Sequence, residues 1–115
     1  TPLQALNLMN DVTYIEAARR LAERMITSGG TSPEDRLVYG YRAATAHSPQ
    51  PEAQAVLLDG FQQHLTHYQD NRQAALKLVS MGESPRDETL DVAELASYTM
   101  AASLILNLDG TITKE

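Results

Sequence analysis

His64-x-x-His67, with Asp70 at the same interval beyond, is the grouping in this chain that most resembles a ligand set. On a helix, spacing of three brings two imidazoles near one another, and Asp70 could serve as third ligand or as orienter of a ring. The three positions drift around the helix, however, and His64 lies beside an apolar stripe. There is no His-Glu-x-x-His pattern and no obvious further ligand. The preferred reading of His64, His67 and Asp70 is a partly exposed helix flank, with a metal site as the alternative.

The C-terminus carries another partial motif. Asp109-Gly110-Thr111-Ile112-Thr113-Lys114-Glu115 reads like the latter half of an EF-hand calcium loop. Aligning Gly110 with the loop glycine puts Ile105 where the first carboxylate must be, and the bidentate glutamate falls past Glu115. A C-cap glycine with a short tail fits better. Glu83, Asp87, Glu88, Asp91 and Glu94 crowd one stretch, but general acid–base work needs burial to shift a carboxyl pKa. Asp91 and Glu94 already suit helix capping, so a solvated loop is the simpler reading. Ser84 has no evident base and no nucleophile-elbow context. Gly29-Gly30 lacks the lysine of a phosphate-binding loop. Asn7, Asn10 and Asn107 lie near apolar residues and read as hydrogen-bonding groups between helices. No residue is assigned a catalytic role, and no cofactor is expected.

What positions these residues must be helical. The 115 residues suit one domain with a real core. Apolar residues make up 43% and charged residues 21%, ordinary globular proportions, and with one Phe and no Trp the core must come from Leu, Ala, Ile, Val and Met. A net charge of −6 argues against a nucleic-acid binder and against docking on anionic lipid. The absence of cysteine removes disulfides, thiolate metal sites and thiol catalysis. No apolar run approaches the ~20 residues of a membrane span.

Punctuation divides the chain. Thr1-Pro2 suits a helix start, with Leu3, Leu6 and Met9 on or near one face. Thr13 and Glu16 fit a capping box, with Asp11 as an alternative cap. The stripe Ile15, Ala18, Ala22, Met25 and Ile26 follows, with Glu16/Arg20 and Arg19/Glu23 expected as solvent-side pairs. Gly29-Gly30 closes that helix. Ser32-Pro33-Glu34-Asp35 opens the next, with Leu37, Val38, Tyr41 and Ala44 inward, and Pro49 and Pro51 require a stop near His47. Pro51-Glu52 starts a long helix with face Leu58, Phe61, Leu65 and Tyr68, in which Gly60 suggests a close crossing. Asp70 or Asn71 caps a short helix through Leu76 and Val79 to Gly82. Asp91 and Glu94 form a capping box for the last helix, whose inward face is Leu95, Tyr98, Ala102, Ile105 and Leu106, ending at 107–110. No period-two run makes a strand and no segment repeats, which weakens a tetratricopeptide-type solenoid. The expected class is all-α: a compact orthogonal or irregular bundle of five main helices plus a short N-terminal one.

Thr1–Leu6 through Asn10-Asp11, then Glu16-Ala17-Ala18-Arg19, resemble the C-terminal helical part of a planctomycete domain of unknown function, the PSD domain (domain of unknown function fifteen fifty-three). Gly82-Glu83-Ser84-Pro85-Arg86-Asp87 and Leu106-Asn107-Leu108-Asp109 with Ile112-Thr113-Lys114-Glu115 are similar to the same family's pattern. Val12 departs from it, standing where the family usually has proline. Ala46-His47-Ser48-Pro49-Gln50-Pro51 replaces Gly-Arg-x-Pro-Thr-Pro, removing an arginine and a good N-cap. The resemblance implies a large exported, multidomain parent with an upstream domain of the same set, often with a haem-binding Cys-x-x-Cys-His segment that this chain lacks. It supplies no catalytic residues.

Together these readings lead to a single helical domain over residues 1–115, expected to be the C-terminal fragment of a larger protein. Its expected role is that of a non-catalytic structural or interaction module. Its expected partners are the upstream domains of the same polypeptide, with self-association through apolar helix faces as a further expectation, and neither nucleic acid nor membrane insertion. The alternative is a metal-dependent enzyme fragment centred on the His-x-x-His helix. A peptide-binding scaffold is a third, needing a concave groove that the irregular spacing does not promise.

Overall fold

The computed structural model describes the backbone of residues 12–113 and the side chains of residues 12–108. The N-terminal helix expected over Thr1–Asp11 lies outside them, as do Asn7 and Asn10. Five helices follow one another: α1 (Val12–Ser28), α2 (Pro33–Thr45), α3 (Pro51–Asp70), α4 (Arg72–Val79) and α5 (Val92–Thr113). Among the described residues there is no strand, so the all-α class holds.

Local chemistry sets most boundaries. The Ser32 hydroxyl accepts from the Asp35 N–H at 3.1 Å, with Pro33 opening α2. Asn71 Oδ1 accepts from the Ala74 N–H at 3.2 Å at the start of α4. Asp91 Oδ2 accepts from the Glu94 N–H at 2.9 Å at the start of α5. Gln50 caps α3 without a side-chain hydrogen bond, as expected where the cap residue has been replaced. The end of α2 is less conventional: Ala46 takes a left-handed φ of 67° and donates its N–H to Arg42 O at 2.9 Å. No glycine marks that stop.

The core gathers Ala18, Ala22, Met25, Leu37, Leu57, Phe61, Val79, Leu95, Tyr98 and Ile105. Helix α5 runs through its centre and touches all four others. The expectation of one inward face understates its burial, since Ala93, Leu95, Ala96, Ser97, Tyr98, Thr99, Ala101, Ala102 and Ser103 are all buried. A helix apolar nearly all round is stable only when surrounded. The Ser97 and Thr99 hydroxyls donate to the carbonyls four residues back, each at 2.7 Å, so they enter the core satisfied.

Several expectations change. Helix α5 does not end at 107–110 but continues past Gly110 to Thr113, and Ile105 is buried within it, so no calcium-type loop exists there. The close crossing falls at Gly40, where an added Cβ would sit 2.6 Å from Met25 Sδ, whereas one on Gly60 would meet nothing within 4 Å. In α3, Leu57 takes the deep position assigned to Leu58, while Leu58 and Leu65 are only half-buried. Leu76 points outward, 44% exposed.

Candidate functional site

Two of the stretches singled out in the sequence, 16–19 and 82–87, meet in the fold. Glu16 and Arg19 on α1 face the loop 82–87, and three side chains of α1 grip that loop's backbone. The Arg19 guanidinium donates to Ser84 O at 2.8 Å, to Pro85 O at 3.2 Å and to Glu23 Oε2 at 2.9 Å. Glu16 Oε2 accepts from the Ser84 N–H at 2.7 Å, and Glu23 Oε2 accepts from the Asp87 N–H at 2.8 Å. Successive turns of α1 along this side thus supply three charged groups to four backbone groups of the loop, Arg19 serving two of them.

This overturns two expectations. Arg19 and Glu23 do pair at i,i+4, but Arg19 is only 1% exposed, on the buried side of α1. Thr13 lies inside a helix described from Val12, and the Glu16 carboxylate serves the loop, not a capping box with Thr13; Asp11, the alternative cap, lies outside the described residues. Hydrogen bonds from Ser84, side chain and backbone, hold the Glu16 carboxyl below its ordinary value. Gly82 makes the approach possible. Its φ of +92° suits glycine, and a Cβ there would run into the Glu16 carboxylate.

A second polar cluster joins α2 to α5. Arg36 donates from Nε to Gly30 O at 3.0 Å and from a terminal nitrogen to Glu94 Oε1 at 3.2 Å. Its guanidinium lies 5.6 Å from the Tyr98 ring centroid. Tyr98 is fully buried, and its hydroxyl has no hydrogen-bond partner among the described residues. Burial pushes the Tyr98 phenol up, with Arg36 acting in the opposite sense. Glu94, expected to complete a capping box, sends its carboxylate to Arg36.

His64 and His67 flank Tyr68, with ring centroids 6.2 and 5.0 Å from it. His64 is half-buried, while His67 and Asp70 are exposed. Burial, and secondarily the neighbouring His67, lower the His64 pKa. Among the described residues no group of three or more His, Asp or Glu side chains is placed to hold a metal ion. In the acidic stretch, Asp87 accepts from the Thr89 N–H at 3.0 Å and also binds the Thr89 hydroxyl, which lowers its pKa. Glu23 and Asp91 are tied to backbone N–H groups. These carboxylates organise turns and helix ends.

An apolar groove between α3 and α5 went unread in the sequence. Its volume is about 220 Å³, with Val56, Gly60 and His64 along one wall and Met100 and Leu104 along the other. Val56 is 64% exposed, Leu104 38% and Leu108 39%. Among the described residues, no helix is long and apolar enough to cross a membrane.

The fold and its polar clusters define a helical scaffold in which buried charge holds a loop. Residues 1–61 match the model of PSD1, a protein family of unknown function (DUF1553), and the chain belongs to that family. The match includes Glu16–Arg19 and stops short of the 82–87 loop. No curated protein and no solved structure matches the chain.

Proposed function

We propose that this chain is a non-catalytic helical module that packs against, and completes, the rest of a larger exported polypeptide. The observation that carries this reading is the mutual engagement of Glu16–Arg19 with Ser84–Asp87. Side chains that could otherwise be taken for a site are turned inward and bonded to peptide groups. Four large apolar side chains, on Val56, Leu76, Leu104 and Leu108, remain at the surface on α3, α4 and α5. Such side chains are suited to burial by a partner. Upstream segments of the same polypeptide are the proposed partner, with self-association through the same faces ranked second.

The test is co-elution of this chain with the polypeptide encoded immediately before it, produced separately. The expected result is a stoichiometric complex that binds less of an apolar-surface dye than its parts do. Two species that elute apart with unchanged dye binding would overturn the reading. The alternative, a metal-dependent fragment centred on His64, His67 and Asp70, requires stoichiometric zinc or iron in the purified protein. Elemental analysis decides it.

A further inference from the structure

We infer that the furrow between α1 and α2 is a docking surface for an acidic amphipathic helix of a partner, held by Arg20, Arg24 and Arg42. Two other arginines show what a structural guanidinium looks like in this fold. Arg19 and Arg36 are bonded to loop carbonyls, to Gly30 O and to the carboxylates of Glu23 and Glu94. Arg20, Arg24 and Arg42 are exposed, and among the described residues none of them forms an ion pair. Arg24 reaches only the Tyr39 hydroxyl, at 3.4 Å. The carboxylate that would serve Arg20 at i−4 is that of Glu16, and it is turned to the 82–87 loop. Arg20 and Arg24 instead stand at i,i+4, a like-charged spacing that costs a helix stability. The chain has 15 acidic residues against 9 basic ones, yet no acid is placed within ion-pair reach of these three. Packing and pairing within the fold give no reason for the cluster.

The three side chains border two adjoining depressions. One, of about 570 Å³, lies between Arg24, Tyr39 and Arg42. The other, of about 470 Å³, continues past Arg24 to Arg20 over Ala17, Leu21 and Ala44. Arg24 and Ala43 belong to both, so the two form one furrow. Small and aliphatic side chains make its floor, and guanidinium groups make its rim. Asp35 also lines it, but at the far end, about 10 Å along α2 from Arg42. From Asp35 to Ala46 the furrow follows α2 for about 16 Å, three turns of a helix. A partner helix can lay an apolar face on such a floor and present carboxylates to the rim. Guanidinium forks grip carboxylates in a fixed bidentate geometry. On a chain of net charge −6, a local basic rim also fixes where an acidic segment lands, because most of the surface repels it. Val56, Leu76, Leu104 and Leu108 take no part, so this surface goes beyond the apolar faces of the proposed module.

The probe is a fluorescein-labelled helical peptide of about four turns, with Leu at every third or fourth position and Glu elsewhere. It is titrated into the full chain and followed by fluorescence anisotropy, beside a counterpart with Gln in place of every Glu. The expected result is saturable binding of the Glu peptide, weakened by salt, and binding about tenfold weaker or less for the Gln peptide. Arg20→Gln, Arg24→Gln and Arg42→Gln combined should weaken Glu-peptide binding about tenfold or more. Arg72→Gln, Lys77→Gln and Arg86→Gln combined lower the net charge equally and should change it less than about twofold. Equal losses in the two variants would show general charge attraction and overturn the inference, as would equal affinity for the two peptides. Displacement of the Glu peptide by inorganic phosphate at constant ionic strength would overturn it in favour of a small anion. Because the three arginines are exposed and unpaired, replacing them should leave the urea midpoint unchanged or raise it. A clear drop would give them a structural role and overturn the inference too. These readouts need only this chain and a synthetic peptide, so their failure is separable from failure of the co-elution test.

Discussion

Tyr98 shows how a single side chain can pack well and still leave a polar atom unserved. Its ring packs against Phe61 at a tilt of 32° with centroids 4.3 Å apart and lies under the Arg36 guanidinium, yet its hydroxyl is buried without a hydrogen-bond partner among the described residues. An unpaired buried hydroxyl carries its desolvation cost uncompensated, so Tyr98→Phe should leave stability unchanged or raise it by up to about 1 kcal/mol. Urea unfolding checks this, and a clear loss would reveal a partner for the hydroxyl. Glu16 behaves oppositely, because its carboxylate is well served. Its folded-state pKa lies below its ordinary 4.5. Its stabilising contribution is therefore complete above that value and is lost as pH falls through the lower folded-state pKa. Asp87, held down by Thr89, acts in the same direction from 3.8. The urea midpoint should start to fall below about pH 6.5, where the unfolded chain protonates His64 more readily than the folded one, and fall more steeply below about pH 5 as the carboxylates titrate. Glu16→Gln should make the acid limb shallower, and an unaltered limb would show that the carboxylate does not couple folding to pH.

At the scale of elements, two glycines separate local conformation from packing. Gly82 sits at positive φ against Glu16, so Gly82→Ala should cost about 1–3 kcal/mol and loosen the loop. Gly60 lies inside α3 with open space above it, so Gly60→Ala should stabilise the chain by about 0.5–1 kcal/mol. Thermal unfolding of the two variants should move in opposite directions, and a shift of the same sign in both would contradict their assigned environments. The helix starts at Ser32, Asn71 and Asp91 were legible in the sequence because capping is a short-range matter of one side chain and one N–H. The stop after Ala46 was not, since no residue type announces it. Gly110 misled in the other direction, as α5 passes through it. The burial of α5 on most sides was written in its composition, yet a search for one apolar face could not find it.

For the whole molecule, the decisive feature is a contact between residues about 65 positions apart. Arg19, beside Glu23 at i+4, has the spacing of a solvent-facing pair, and nothing nearby in sequence says that its other acceptors are the carbonyls of Ser84 and Pro85. The candidate ligand residues His64, His67 and Asp70 were visible by spacing, but spacing alone could not show that both imidazoles would settle around Tyr68. The groove between α3 and α5 was invisible for a related reason: each of its walls is an ordinary helix flank, and only their juxtaposition makes a surface.

The central claim is that Arg19, a residue within the family-matched segment, holds the scaffold together by fixing the 82–87 loop to α1. Equilibrium urea unfolding of Arg19→Met tests it most directly. Removing the guanidinium leaves two buried loop carbonyls without their donor and Glu23 with the Asp87 N–H alone, so the account predicts a loss of about 3–5 kcal/mol. A variant whose stability stays within about 0.5 kcal/mol of the native chain would contradict it.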